Sequence, residues 1–403
     1  GQSQFTGTTT VTGGVLAVDG SQVNNRLTNN HQVSVGNAAT FEVRGVNALP
    51  SGANAVDMTV NGGGTFSVVS GGSAVIGASG QSHVHMRNLT LNGGTVAFSY
   101  SGGGSAYSGE SMQLNGSVTV IGTAASSIQS SGANSNTGLA LNGNSLFTVN
   151  DVTSSTAVDL TVAAEIEDND SAGDSLTKAG AGTMSLQAVN TYTGATNVLA
   201  GVLSFSGSGT IYNNNNTATV SVAPGAQIVA SATTNNVLGF GSGATWNISG
   251  TFNSSGGGAQ TFPGTVILNN GTLSGVANGT FGSFLTNAAY TTTITANGST
   301  NTINSANFGM SNGSTLALNT PLVADALSIS SPLGLTSQTG ALTKTGLGTV
   351  TLTGVSIYTG STTLNQGTVV MGTGGTISPS STITVNSGAT LRFNRSDTWG
   401  NHT

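Results

Sequence analysis

The chain has 403 residues, of which 61 are glycine, only 5% are charged and none is cysteine, and its net charge is −6. Seven basic residues cannot form the positive surface that binds phosphate backbones, so nucleic acid is excluded as a partner. Without cysteine there are no disulfides or thiolate metal sites, and without a run of 18 apolar residues there is no transmembrane helix.

Short alternations of apolar and polar residues, separated by glycine, asparagine and serine, run along the whole chain. Valine and threonine are abundant while proline and charge are scarce, which favours strands over disorder. No apolar period of 3.6 residues persists for three turns, so helices are not predicted. We therefore expect an all-β protein.

The first element in chain order is Phe5–Leu16, FTGTTTVTGGVL, the back half of a sequence that recurs twice. Complete copies occupy Leu176–Leu203 and Leu342–Val369 and align without a gap. Self-similarity over such distances indicates small strand–turn units that stack and share one core. The sequence thus predicts one continuous β-solenoid over residues 1–403.

Asparagine–glycine pairs punctuate the chain and admit two interpretations. They form hairpin turns in β-sandwiches, or one turn per coil in a parallel β-helix. The first four pairs are spaced more widely than the turns of hairpins, which recur about every 8–12 residues. Ladders of identical polar side chains on stacked coils also explain the abundance of threonine, serine and asparagine. The parallel β-helix is the favoured prediction. The pairs begin at Asn61, Asn92, Asn115, Asn142 and Asn270.

His83 and His85 flank a single valine, which places both imidazoles on one face of a predicted strand. This spacing is compatible with a metal pair. No third histidine or acid lies nearby in sequence, so an exposed polar face is the preferred interpretation.

The clearest strand pattern is Val158–Ile166, in which five apolar residues alternate onto one face. It leads into the densest acidic segment of the chain. Oxygen ligands at this density could bind calcium, although Ala172 departs from the EF-hand spacing. A solvated loop is the preferred interpretation, because the segment before Leu342 carries no acid. The calcium candidates are Glu165, Glu167, Asp168, Asp170 and Asp174.

The two complete copies share four glycine positions and one lysine. The recurrent glycines predict corners where the backbone adopts positive φ or leaves no room for Cβ. Lys178 and Lys344 are the only lysines and occupy the same motif position. We predict a structural role for them, with a cluster of main-chain carbonyls or a carboxylate as partner. The glycines are Gly180, Gly182, Gly194 and Gly201, which recur as Gly346, Gly348, Gly360 and Gly367.

An enzyme acting on polysaccharide is the weaker alternative. Glycoside hydrolysis needs two carboxylates flanking the scissile bond, and Asp151 and Asp159 are the nearest such pair besides the acidic segment. Basic residues and the aromatic platforms that usually bind sugars are scarce. No catalytic or cofactor-binding residue is therefore predicted.

The pattern LTKxGxGTxxLxxxNTYTGxTxxxxGxL resembles the passenger-associated transport repeat of bacterial autotransporters (type V secretion). The copy from Leu176 matches it throughout, whereas the second copy has Ser356-Ile357 in place of Asn190-Thr191 but keeps Tyr358. The resemblance implies a right-handed parallel β-helix, a single rod with coils of roughly 20–25 residues. It also implies export to the outer membrane surface and a role for the repeats in folding.

We thus expect a secreted or surface-displayed segment, extracellular or at the bacterial cell surface, with a structural or adhesive and non-catalytic role. One alternative is a subunit of an extracellular filament that polymerises end to end, and a second is a pectin-lyase-like enzyme. Expected partners are further copies of the chain, end to end or laterally, or a host or cell-surface ligand. Because the chain begins inside one motif and ends inside a related block, we expect a piece of a longer protein or a processed subunit.

Overall fold

A computed structural model gives the structure of the protein. Three residues named above, Phe5, His83 and Asp170, lie outside the part it describes. The described residues are 7–19, 27, 29, 31–44, 48–70, 84–100, 112–131, 138–169, 172–211, 218–232, 235–237, 244–256, 258–262, 264–276, 284–286, 290–335, 338–378 and 381–396.

The described residues are almost wholly β, with a single short 3₁₀ helix, Gly52–Asn54, and no α-helix. None of them belongs to a helix long and apolar enough to cross a membrane. The chain divides into two compact units, Gly1–Ser204 with Ser208–Tyr212, and Phe205–Gly207 with Asn213–Thr403. The single continuous solenoid stays a prediction.

The first unit contains a long series of short strands, the twentieth of which ends at the boundary residue Phe205. They are β1 Thr9–Val11, β2 Gly14–Asp19, β3 Gln32–Val35, β4 Ala39–Arg44, β5 Val56–Asn61, β6 Thr65–Ser70, β7 Val84–Asn92, β8 Thr95–Tyr100, β9 Met112–Leu114, β10 Ser117–Val120, β11 Ser126–Ser130, β12 Gly138–Leu141, β13 Asn144–Val149, β14 Leu160–Val162, β15 Glu165–Asp168, β16 Ser175–Ala179, β17 Thr183–Leu186, β18 Val189–Asn190, β19 Thr196–Val198, β20 Val202–Phe205 and β21 Thr210–Ile211.

The second unit repeats this construction. Its strands are β22 Thr219–Val222, β23 Gln227–Ala230, β24 Thr245–Ile248, β25 Thr251–Ser254, β26 Gln260–Phe262, β27 Thr265–Asn269, β28 Thr272–Gly275, β29 Phe284–Thr286, β30 Thr291–Asn297, β31 Asn301–Ser305, β32 Phe308–Gly309, β33 Thr315–Asn319, β34 Ala326–Ile329, β35 Ala341–Thr345, β36 Thr349–Leu352, β37 Thr362–Leu364, β38 Gly367–Met371, β39 Ile383–Val385 and β40 Ala389–Phe393.

Strands stack on the equivalent strands of neighbouring coils, in parallel and in register. In the first unit, Leu16 on β2 lies opposite Phe41 on β4, which lies opposite Phe66 on β6. In the second unit, Phe252 on β25 lies opposite Leu273 on β28. Parallel neighbours need a long crossover rather than a hairpin, and here the rest of each coil supplies it. The parallel β-helix is confirmed, and the β-sandwich alternative is wrong.

The coils vary more in length than the resemblance implies. The coil that joins Leu352 to its partner Met371 is short, whereas the one that joins Ile128 to its partner Val162 is much longer. Turns absorb the difference, because loop length costs little free energy while a register shift of one residue would turn every apolar side chain outward.

The interior of each unit is a column of apolar side chains. On β27 only alternate residues are buried, among them Val266 and Leu268. Five aromatic rings form the centre of the column in the second unit, with neighbouring ring centroids 5.1–6.4 Å apart. Such contacts add stability beyond the burial of apolar area. The rings belong to Trp246, Phe252, Phe262, Phe284 and Phe308.

Asparagine side chains form ladders of the kind predicted from the abundance of threonine, serine and asparagine. Asn92 Nδ2 donates to Asn61 Oδ1 at 3.2 Å. Further along the first unit, Asn169 donates to Asn142 at 3.0 Å and Asn142 donates to Asn115 at 2.9 Å. Each amide has a donor and an acceptor, so identical residues at one coil position can bond in an extended row.

The strand predicted over Val158–Ile166 is wrong in extent. The chain forms β14 and β15 there, separated by a corner at which the N–H groups of Ala163 and Ala164 both donate to Ile128 O, at 2.8 and 3.3 Å. The inward side of the pattern is buried from Leu160 onward, while Val158 is partly exposed. The alternation of apolar and polar residues therefore continues from β14 through the corner into β15, because both strands face the same apolar interior of the coil.

Candidate functional site

Lys178, near the end of β16, points its ammonium group into a cage of main-chain oxygens. Nζ donates to the carbonyl oxygens of Gly180 and Gly182, both at 2.6 Å, and of Ala200 at 2.9 Å. The residue is completely buried. Because an ammonium group has three N–H donors, the cage satisfies all of them.

Lys344, near the end of β35, has a similar cage in the second complete copy, with Thr345 O in place of the equivalent of Gly182 O. Its Nζ donates to the oxygens of Thr345 at 2.6 Å, Gly346 at 2.8 Å and Gln366 at 3.3 Å. Only 1% of the residue is exposed. The carbonyl cluster predicted as the lysine partner is therefore confirmed in both copies.

The cages hold a charged group away from water. Burial lowers the pKa of Lys178 to about 8, and the charge of Asp159 acts in the opposite direction. Burial likewise lowers the pKa of Lys344 to about 8. Both lysines stay mainly protonated at pH 7, so carbonyl dipoles must stabilise a buried positive charge.

Recurrent glycines shape the corners around the lysines for the two reasons expected. Gly180 and Gly201 have φ of +79° and +65°, which residues with a Cβ rarely adopt. Gly182 and Gly194 have no room for a Cβ, which would lie 2.4 Å from a main-chain oxygen of the preceding coil. A side chain at any of these positions would open the corner.

A buried tyrosine–threonine pair follows each lysine. The hydroxyl oxygen of Tyr192 lies 2.7 Å from Thr196 Oγ1, and that of Tyr358 lies 2.6 Å from Thr362 Oγ1. Burial raises the pKa of Tyr358 to about 12 and that of Tyr192 further. The tyrosines therefore remain neutral. The repeat pattern includes these threonines, but their pairing with the tyrosines was not predicted, although each follows its tyrosine at the same spacing in both copies.

Asn190 in the first complete copy connects its own coil to the coils on either side. Its Oδ1 accepts the N–H of Ile166 at 3.0 Å, and its Nδ2 donates to the oxygens of Ala188 and Thr210, both at 2.9 Å. In the second copy Ser356 takes this position, and its buried Oγ has no hydrogen-bond partner among the described residues. The substitution therefore removes a connection between coils.

The acidic segment lies next to the first complete copy and bonds to it. Glu165 Oε1 accepts from Thr191 Oγ1 at 2.6 Å. Asp168 accepts from both the N–H and the hydroxyl of Thr193, at 3.0 and 2.6 Å. Asp174 accepts the N–H groups of Asn169 and Gly143. These carboxylates hold turns of three successive coils together.

The pKa of Glu165 is raised to about 7, chiefly by burial and also by the negative charge of Glu167, while the Thr191 hydroxyl acts in the opposite direction. Burial also raises the pKa of Asp174. Within the described ranges, no three histidine, aspartate or glutamate side chains gather in a way that could hold a metal. Since Asp170 is outside those ranges, calcium binding by this segment stays a prediction.

The remaining sequence candidates do not form an open site in the described structure. Asp151 is exposed and accepts the N–H of Ser155 at 3.2 Å, whereas Asp159 is completely buried. The exposed position expected for His85 is wrong, since only 7% of the residue is exposed. Its Nδ1 lies 3.2 Å from Nδ2 of Asn115, a residue of the next coil.

Comparison with protein families finds the passenger-associated-transport-repeat at residues 1–18, 176–205 and 342–371. These ranges include all three copies seen in the sequence. Comparison with curated proteins and with solved structures gives no match. Repeats of this family are typical of passenger domains, which are secreted or exposed at the cell surface, so the resemblance is confirmed.

Proposed function

We propose that this chain, which has the repeats and the parallel β-helix of an autotransporter passenger domain, serves outside the bacterial cell as a non-catalytic structural and adhesive scaffold. The observation that carries the proposal is the burial of the repeats' own polar groups. Lys178, Tyr192 and Asn190 are all completely buried and bond within the chain. Groups used in this way organise the backbone and do not meet a substrate.

The repeats also suit a chain that folds after export. Lys178 joins its own corner to Ala200 on the next coil, and Lys344 joins its corner to Gln366 in the same way. Closing a loop this short costs little entropy, and local contacts form early in folding. Each complete repeat therefore acts as a local start for stacking the next coil, which in turn needs a neighbour to bury its apolar face.

Adhesion, in this proposal, belongs to the lateral faces, where polar side chains form rows on successive coils. The asparagine ladders present regularly spaced amides, one per coil, about 4.8 Å apart. Such rows suit a repetitive ligand at a host or cell surface. Lateral association with further copies of the chain would use the same faces.

Display of the chain by its own export system tests the proposal. Intact bacteria carrying the wild-type protein or the double variant Lys178→Met and Lys344→Met are treated with external protease and assayed for attachment to cells. We expect less protease-resistant protein at the surface and weaker attachment for the double variant. Arg392→Met, which removes an exposed cation, is the matched control and should behave as wild type.

Three results would contradict the proposal. Normal display and protease resistance of the double variant would remove the role of the repeats in folding. Wild-type attachment equal to that of bacteria without the chain would remove the adhesive role. Cleavage of a polysaccharide by the purified chain would favour the enzyme alternative, and long fibres of the purified chain in electron micrographs would favour the filament alternative.

A further inference from the structure

Two buried aspartates, Asp159 and Asp325, lie outside the residues that match the repeat family. The interval in sequence from Asp159 to Lys178 equals the interval from Asp325 to Lys344. The flanking sequences differ, TAV before and LTV after Asp159 against LVA before and ALS after Asp325. Because the spacing is equal although the flanking sequences differ, we take the position of the aspartate to be linked to that of the lysine.

The carboxylate of Asp159 is fully occupied by main-chain donors. Oδ1 accepts the N–H groups of Val152 and Thr153, both at 2.9 Å, and Oδ2 accepts the N–H of Thr183 at 2.7 Å. Val152 and Thr153 belong to the turn before Asp159, whereas Thr183 begins β17 in the next coil. One side chain thus fixes its own turn and the start of the strand that follows the lysine cage.

Asp325 lies one register position earlier in its coil than Asp159, because Leu160 lies opposite Met184 whereas Ala326 lies opposite the equivalent of Thr183, Thr349, and its oxygens are used differently. Oδ2 accepts the N–H of Leu322 and Oδ1 that of Gly298, both at 2.7 Å, while the main-chain oxygen accepts the N–H of Thr349 at 3.0 Å. Thr349 is the motif equivalent of Thr183. In both copies, then, the aspartate binds the amide of the threonine in the sequence GxGT.

Each aspartate also lies against the second glycine of GxGT. A Cβ on Gly182 would lie 2.6 Å from Asp159 Oδ2, and a Cβ on Gly348 would lie 2.3 Å from the main-chain oxygen of Asp325. Gly182 O is itself one of the oxygens that accept from Lys178. In the first copy, the lysine and the aspartate therefore bond to adjacent residues, Gly182 and Thr183.

We infer that Asp159 and Asp325 are positioning residues of the repeat. Each complete structural unit then begins one coil before the matched residues, and the turn that its aspartate binds supports the lysine cage. The inference deepens the proposed function and rests on it. In the first copy it assigns a buried carboxylate whose charge acts on the buried ammonium group of Lys178 and whose oxygens set the position of the corner backbone.

The chain has only two lysines, which makes the test direct. The 403-residue chain with isotope-labelled lysine gives one side-chain NMR signal for each cage, and both are titrated in the wild type and in Asp159→Asn. We expect the pKa of Lys178 to fall below its wild-type value, because the charge of Asp159 now raises it, while the pKa of Lys344 stays unchanged. Hydrogen exchange of the Thr183 amide should become about tenfold to a hundredfold faster, since it loses a bond to a charged acceptor.

A purely local role in the turn would loosen the amides of Val152 and Thr153 but leave Lys178 and Thr183 at their wild-type values, and that result overturns the inference. Asp325→Asn is the second arm, and it decides the matter if Asp159→Asn fails to fold. Its carboxylate does not touch Thr349, so faster exchange at Thr349 is expected only if the aspartate and the corner form one unit. Unchanged exchange there overturns the inference.

These outcomes are separable from the proposed function. If the aspartate variants leave both corners intact while the double lysine variant still loses surface display, the inference fails and the role of the repeats stands. If display is insensitive to the lysines while Asp159→Asn shifts the pKa of Lys178, the corner is a unit without that role in export.

Discussion

Replacing Lys178 with methionine is the most informative single change, because it keeps most of the side-chain volume and removes all three donors. Hydrogen bonds from a charged group contribute roughly 1.5–3 kcal/mol each, so the three together supply about 6 kcal/mol. Part of this loss is offset, because methionine has no charge that must be removed from water when the chain folds. A pKa lowered from 10.5 to about 8 corresponds to about 3 kcal/mol. The corner should therefore lose about 3 kcal/mol of stability.

Native-state hydrogen exchange measures this loss where it occurs. Repeat proteins open locally, so a single unfolding free energy for the whole chain would conceal the effect. Two amides report on the cage, since Leu199 N–H donates to Lys178 O and Val202 N–H donates to Gly182 O. A loss of about 3 kcal/mol corresponds to exchange that is roughly a hundredfold faster.

Exchange of these two amides at the wild-type rate, or slower, would refute the reasoning. It would mean that desolvation of the ammonium group outweighs its hydrogen bonds, as happens for many buried charges when apolar residues replace them. Lys344→Met provides an internal comparison. Its longest bond, to Gln366 O, is 3.3 Å, so we expect the same direction and a smaller effect.

Three further predictions concern neighbouring residues. Glu165, whose pKa is raised to about 7 from 4.5, contributes stability that is fully present below pH 4.5 and lost as the pH rises through 7. Exchange around Thr191 should therefore be slower at pH 5 than at pH 8 after correction for intrinsic rates, and Glu165→Gln should abolish the difference; a difference that persists in this variant contradicts the assignment. Ser356→Asn should stabilise the second copy by about 1–2 kcal/mol in denaturant unfolding, by restoring the bonds that Asn190 makes in the first copy, and a lower midpoint would show that the position lacks room. Gly194→Ala should destabilise the first copy by several kcal/mol, because its Cβ would lie 2.4 Å from main-chain oxygens, whereas Gly13→Ala meets nothing within 4 Å; equal melting temperatures for the two variants would contradict this.

Much of the architecture is predictable from the sequence because the protein repeats itself. Copies of a segment stacked in parallel place like residues above one another, so alternation, corner glycines and the shared lysine position each have one consistent interpretation. The cages of Lys178 and Lys344 are the sharpest example. A cation inside an uncharged, glycine-rich motif needs acceptors, and the backbone of the corner is the nearest source of them.

Other features depend on contacts between coils, which the linear sequence does not encode directly. Alternation over Val158–Ile166 predicts one strand, but the coil bends inside it and keeps its interior on both sides. His85 is buried and lies beside Asn115 of the next coil. In the sequence, Asp159 is one of the carboxylates that could serve an enzyme. Only the folding of its turn and the stacking of coils bring its side-chain oxygens to the main-chain N–H groups of Val152 and Thr183. The local sequence pattern determines which face of a strand is apolar. Turn lengths, which vary between coils, determine which polar groups come within hydrogen-bonding distance. Those contacts exist only in the folded chain.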